Sequence, residues 1–77
     1  MFLLAYGDQA YRSELSLFRA RGVAASEAEP VEVADDACAL FRVDLGDGAP
    51  VFCTDPHAAL ATYAGLGGWG ITQLVIV

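Results

Sequence analysis

The chain has 77 residues, 56% of them hydrophobic, and its ten acidic residues face four arginines and no lysine, for a net charge of −6. One domain of this size buries only about 60% of its unfolded surface, so exposed apolar area is expected, which favours a dimer or a partner-binding face. The acidic excess argues against direct binding of nucleic acid or of anionic membranes. It favours a basic protein surface or a cation as partner, unless acidity only keeps an apolar protein soluble.

No targeting or metal-binding pattern stands out. The stretch Met1–Tyr6 lacks the basic residues and the length of a secretory signal, and no run approaches the ~18 apolar residues of a membrane span. Two cysteines and one histidine are too few for a disulfide scaffold or for a zinc site within one chain. The sequence therefore predicts a cytoplasmic protein without a cofactor.

The first third of the chain predicts a strand and a helix. The apolar run Phe2–Tyr6 is typical of a buried strand. Asp8 is a candidate N-cap for a helix over Gln9–Arg21, in which apolar residues recur at helical spacing. Gly22 is suited to end this helix, and arginines in its last turn complement the helix dipole.

The segment Val23–Asp36 is acidic and holds no basic residue. Alternation over Val31–Val33 predicts a short edge strand, with an acidic loop as the alternative. Carboxylates in a loop are most simply solvated, but here they also form a candidate negative patch for a basic partner. The candidate partner-binding residues are Glu27, Glu29, Glu32, Asp35 and Asp36.

A β-hairpin is predicted over Ala37–Asp55, with a two-residue turn at Asp47-Gly48. This register places Arg42 opposite Cys53, which leaves Cys38 too far from Cys53 for a disulfide, so both cysteines are expected as free buried thiols. The alternation of side chains assigns Phe41, Val43 and Phe52 to the core face and Leu40, Arg42, Val51 and Cys53 to the other face.

A second helix is predicted over His57–Ala64, because Asp55 can cap it and Pro56 suits its first position. A glycine-rich connection around Trp69 follows, without the Lys-Ser/Thr of a phosphate-binding loop. Trp69 is expected to cover the core, with an exposed partner anchor as the alternative. The aliphatic run Ile71–Val77 predicts a central strand.

The element order β-α-β-β-α-β predicts a ferredoxin-like α+β fold, a four-stranded antiparallel sheet with two helices on one face. The strands Phe2–Tyr6 and Ile71–Val77 are then neighbours. The uncovered face, which includes Leu40, Arg42 and Cys53, is too apolar for water. Homodimerisation through this open sheet face is the simplest way to cover it.

The leading functional hypothesis is a non-enzymatic inhibitor or regulator that docks on a basic, nucleic-acid-handling protein complex, with Arg42 and Trp69 beside the acidic residues as candidate contacts. Phage anti-CRISPR proteins and other nucleic-acid mimics share this profile as a class, although no motif of one family is present. The alternatives are a homodimeric module that binds a small molecule or serves for oligomerisation, and thiol chemistry by Cys53 with His57, which requires the two side chains within hydrogen-bond reach.

Overall fold

The computed structural model describes residues Met1–Val77 as six β-strands and two α-helices. The helices are α1 (Glu14–Arg21) and α2 (Pro56–Leu66), and neither is long and apolar enough to cross a membrane. A short 3-10 turn lies at Ala25–Glu27. The strands are β1 (Phe2–Tyr6), β2 (Gln9–Tyr11), β3 (Glu29–Glu32), β4 (Leu40–Asp44), β5 (Val51–Cys53) and β6 (Gly70–Ile76).

All six strands form one mixed sheet in the order β3-β1-β2-β6-β4-β5. Neighbouring strands are antiparallel except β2 and β6, which are parallel. The predicted four-stranded antiparallel ferredoxin-like sheet is therefore wrong, although the fold is still α+β. The first and last strands are not neighbours either, because β2 lies between them.

The extra strand β2 arises because the chain turns back at Gly7 and does not enter a helix there. Gly7 has a φ of 63°. A glycine with positive φ at the first position of a two-residue turn matches the twist of a β-hairpin. Tyr6 accordingly pairs with Gln9, and Leu4 pairs with Tyr11. Asp8 thus occupies a turn and is not the helix N-cap that the sequence predicted.

Helix α1 begins five residues later than expected, after the cap residue Ser13. The Ser13 hydroxyl accepts a hydrogen bond from the backbone N–H of Ser16 at 3.1 Å, which satisfies one of the free N–H groups of the first turn. The predicted end at Gly22 is confirmed, since Gly22 has a φ of 70° and its N–H bonds the carbonyl of Phe18. The predicted start of α2 is confirmed as well, with Asp55 as its cap.

The hairpin of β4 and β5 forms, but its register differs by one residue from the prediction. Arg42 lies opposite Phe52, and Phe41 lies opposite Cys53. A loop over residues 45–50 replaces the predicted two-residue turn. Trp69 packs against this loop so closely that a Cβ on Gly46 would lie 2.5 Å from the indole Nε1. Because Gly46 and Trp69 are far apart in the sequence, the residues of the turn alone do not indicate this contact.

The shift moves side chains between the two faces of the sheet, because alternate residues of a strand face opposite sides. Phe52 shares a face with Leu40, and Cys53 shares the other with Val43. The predicted core face of Phe41, Val43 and Phe52 is therefore divided between the two sides.

The sheet curls around its main core, so that its concave side is the interior of an incomplete barrel. The buried cluster of this interior comprises Leu3, Ala5, Ala10, Val33, Leu40 and Leu74. On the convex side, α1 lies over β2 with Leu17 buried, and α2 packs on β4, β5 and β6 with Ala59 buried. Leu40, expected on an open dimerisation face, is fully buried. The face that was expected to be open is thus covered by the curl of the sheet itself.

Candidate binding cleft between the sheet edges

The five predicted acidic residues follow one another along β3 and its flanking turns, and all five are exposed. Glu29 and Glu32 belong to β3. Asp35 lies 3.3 Å from the ammonium group of Met1. The other carboxylates of this set form no ion pair; they are those of Glu27, Glu29, Glu32 and Asp36.

None of the four arginines forms an ion pair with this acidic set. Arg21 pairs with Asp8 at 3.2 Å, and Arg42 pairs with Asp44 at 3.1 Å. Arg42 also donates to the carbonyl of Gly7 at 2.8 Å, so it ties β4 to the turn between β1 and β2. Arg42, a predicted partner-binding residue, is half-buried, and its guanidinium group is engaged in contacts within the protein.

Arg21 is held by a small polar network on the convex side. Its Nε donates to the hydroxyl of Tyr11 at 2.8 Å, and its guanidinium lies 5.6 Å from the ring centre of Tyr6. The hydrogen bond to Tyr11 is the main cause that raises the pKa of Arg21 above its ordinary value. This network fastens α1 to the first hairpin and leaves Arg21 unavailable to the acidic set.

Trp69 does not cover the core as predicted, because 80% of its surface is exposed. Its backbone N–H donates to the carbonyl of Asp44 at 2.7 Å, while its indole lies against Gly46. Trp69 is not among the residues that line the cleft described next. Of the predicted partner-binding residues, only Glu32 lines that cleft.

A cleft of about 350 Å³ separates β3 from β5 and the start of α2. Seven of its ten lining residues are hydrophobic. Its charged lining residues are Glu32 and Asp55, and no basic residue lines it. One side is formed by Val31, Glu32, Val33 and Ala34, the other by Phe52, Cys53, Thr54 and Asp55, and Leu40 and Ala58 complete it.

The free edge of β3 faces this cleft. Val33 and Met1 exchange backbone hydrogen bonds, with the Val33 N–H donating to the Met1 carbonyl at 2.8 Å. Because bonding direction alternates along an antiparallel pair, Val31 also bonds towards β1, whereas Glu32 directs its N–H and C=O away from β1. Pro30 has the same outward direction, so its missing N–H costs the sheet no hydrogen bond.

The free edge of β5 follows from the same alternation. The backbone N–H of Val75 donates to the carbonyl of Asp8, so the odd-numbered residues of β6 form their hydrogen bonds on the β2 side. The even-numbered residues of β6 therefore form the hydrogen bonds with β4. Odd-numbered residues of β4 then bond β5 through Val51 and Cys53. Phe52 consequently directs its N–H and C=O away from β4, towards the free edge.

The two free edges run in the same direction. β3 is antiparallel to β1, β1 is antiparallel to β2, and β2 is parallel to β6. β6 is antiparallel to β4, which is antiparallel to β5. A strand that lies in the cleft and runs opposite to β3 is therefore antiparallel to both of its neighbours, which is the pairing of hairpins and meanders.

Cys53 lies beneath α2, where its sulfur is 3.8 Å from the hydroxyl of Thr62. His57 is exposed in the first turn of α2 and has no hydrogen bond to Cys53. Both cysteines are free, but Cys38 is exposed, contrary to the expectation of two buried thiols. No group of three or more His, Cys, Asp or Glu side chains is arranged to hold a metal ion.

The cleft was not predicted from the sequence, because it depends on the pairing of β3 with the distant β1. One signal was available, since Pro30 inside a strand-like segment indicates an edge strand. Comparison of the chain with protein-family models, curated proteins and solved structures finds no significant match to any of them.

Proposed function

We propose that this protein is a non-enzymatic binding protein, an inhibitor or regulator that docks on a basic surface of a nucleic-acid-handling complex. The observation that supports this proposal is the set of carboxylates without an ion pair, Glu27, Glu29, Glu32 and Asp36, of which Glu32 lines a mostly apolar cleft without a basic residue. Proteins that handle nucleic acid carry clustered Lys and Arg for phosphate contacts, so they offer the complementary charge.

The clustering of the charge supports this role over solubility alone. Five of the ten acidic residues fall within Glu27–Asp36, and no arginine does. Solubility requires only a net charge away from zero, with no need for clustering. A clustered field attracts an oppositely charged partner and accelerates its association, which weakens as salt screens the charges.

The experiment compares binding of the immobilised protein to purified nucleic-acid-handling complexes as the salt concentration rises. The variant E29Q/E32Q removes two charges from β3, and the control E14Q/D47N removes two charges from other exposed positions. We expect affinity to fall with salt and to fall more for E29Q/E32Q than for E14Q/D47N. Salt-independent binding, equal loss in both variants, or binding to none of the complexes contradicts the proposal.

A second candidate function is small-molecule binding in the same cleft. A volume of about 350 Å³ and a mostly apolar lining fall at the lower end of the range for ligand pockets. A ligand that binds only the folded state raises the melting temperature. A thermal-shift screen favours this function if a metabolite raises the melting temperature of the wild type. The A58F variant, which fills the cleft, should abolish this shift, whereas A61F should retain it.

A further inference from the structure

We infer that the partner enters the cleft as an extended cationic segment, which runs antiparallel to β3 and β5 and completes the sheet between them. The inference rests on the proposed function and adds to it the conformation and the sequence pattern of the bound segment. It follows from the backbone groups at the cleft, the direction of its two edges and the chemistry of its lining.

Glu32 on β3 and Phe52 on β5 each direct a free N–H and C=O to the edge of their strand, and both line the same cleft. Unpaired strand edges are templates for an added strand, whose main-chain hydrogen bonds supply affinity. Because both edges run in the same direction, one incoming strand can form antiparallel ladders with the two of them.

The residues that line the cleft determine which types of side chain the bound segment should carry. Side chains that point into the barrel meet apolar residues, among them Val33, Leu40 and Phe52. Side chains that point outward lie beside Glu32, which is exposed on the convex face opposite Phe2. Since successive residues of a strand alternate between faces, the preferred segment alternates apolar residues with Lys or Arg.

A second copy of the chain is a poorer occupant. An antiparallel pairing of two β3 edges centred on Glu32 places the Glu32 carboxylates of both copies opposite each other on the same face, and like charges directly opposite are destabilising. The β5 edge of a second copy, Val51–Cys53, carries no cation to match them. The charge of the cleft therefore selects a foreign basic strand over self-association.

The probe is a short blocked peptide that alternates valine with lysine, labelled for fluorescence anisotropy. Its control has the same sequence with N-methyl groups on the backbone amides of one edge, which keeps its charge and removes those donors. We expect the control to bind at least tenfold more weakly. The A58F variant should reduce affinity for the unmodified peptide at least fivefold relative to A61F.

Substitutions of Glu32 separate its charge from its backbone donor. E32Q removes the charge and keeps the N–H, whereas E32P also removes the N–H. Proline is compatible with this edge, because Pro30 already occupies an equivalent outward-facing position. We expect affinity to decrease from the wild type to E32Q and again to E32P, while circular dichroism shows each variant folded.

The outcomes separate the inference from the proposed function. Equal binding of the N-methylated and unmodified peptides overturns strand insertion and leaves charge-driven docking in place. Failure of both peptides to bind, with salt-dependent docking of a basic complex retained, also overturns insertion alone. Failure of both peptides and of every complex overturns both. Dimerisation that protects both edges in the free protein overturns the inference as well.

Discussion

Glu32, the last residue of β3, and Phe52, the middle residue of β5, lie on two free sheet edges, and both present an unpaired N–H and C=O to one cleft. The barrel is thus incomplete between β3 and β5. Exposed edges are usually protected against unwanted pairing, and Pro30 and Glu32 are residues of the kind that provide such protection. The negative charge of Glu32 still favours pairing with a positively charged strand. The binding proposal requires this preference for a basic segment over other strands.

The buried cluster inside the curled sheet should dominate stability. Leu74 is 1% exposed within it, whereas its neighbour Val75 is 58% exposed on the convex side. We expect L74A to lower the free energy of unfolding by about 2–5 kcal/mol, which is enough to unfold much of a small domain. V75A should change it by no more than about 0.5 kcal/mol. Urea denaturation followed by circular dichroism measures both; equal effects contradict the assignment of faces.

Two glycines at the end of α2 should respond in opposite ways to alanine. An added Cβ meets no atom within 4 Å at either Gly65 or Gly67, but Gly67 has a φ of 65°. G65A should stabilise the protein by about 0.5 kcal/mol, because it restricts the unfolded chain and suits a helix. G67A should destabilise it by about 1–2 kcal/mol, the cost of a left-handed residue. Thermal melts of the two variants test this, and a shift of the same sign in both contradicts it.

The hydroxyl of Tyr11 should contribute to stability through Arg21. Tyr11 is 1% exposed, and its hydroxyl accepts from Arg21 and donates to Gln9. Y11F should cost about 0.5–1.5 kcal/mol in the free energy of unfolding, because it removes these hydrogen bonds. The hydroxyl of Tyr6 forms no hydrogen bond, so Y6F is the matched control and should be nearly neutral. Chemical denaturation that finds the two variants equal argues against the network.

The two cysteines should differ in reactivity. Cys38 is exposed, whereas Cys53 is partly covered by α2 and close to Thr62. Thiol modification depends on access of the reagent to the thiolate, so Cys38 should be alkylated first under native conditions. Mass spectrometry of the partly modified protein identifies the site, and C38S should remove the fast phase. A fast phase that persists in C38S contradicts the placement of Cys53.

Local signals in the sequence predicted β1, β6, the end of α1 at Gly22 and the start of α2 at Asp55, because each depends on nearby residues. They failed at Gln9–Tyr11, where Tyr11 fits a helical spacing but pairs with Leu4 in a hairpin. As a consequence, the helical spacing of apolar residues predicted over Gln9–Arg21, which included Phe18, does not describe α1: Phe18 is 61% exposed, and Leu17 is the buried residue.

The other differences result from contacts between residues distant in sequence. Packing of Trp69 on Gly46 accompanies the wide loop that shifts the register of β4 and β5. Pairing of β3 with β1 creates the free edge at Glu32 and the cleft beside it. The sequence shows that the segment Val23–Asp36 is acidic, but the position of its carboxylates along an open sheet edge depends on this long-range pairing.

Amide hydrogen exchange measured residue by residue tests the central claim most directly. In the free protein, the Glu32 and Phe52 amides should exchange much faster than the Val33 amide, which bonds the carbonyl of Met1. Saturation with the alternating valine-lysine peptide should slow the Glu32 and Phe52 amides together, since one inserted strand bonds both. Slow exchange at these amides before the peptide is added, or peptide binding that leaves both amides unprotected, would contradict the account.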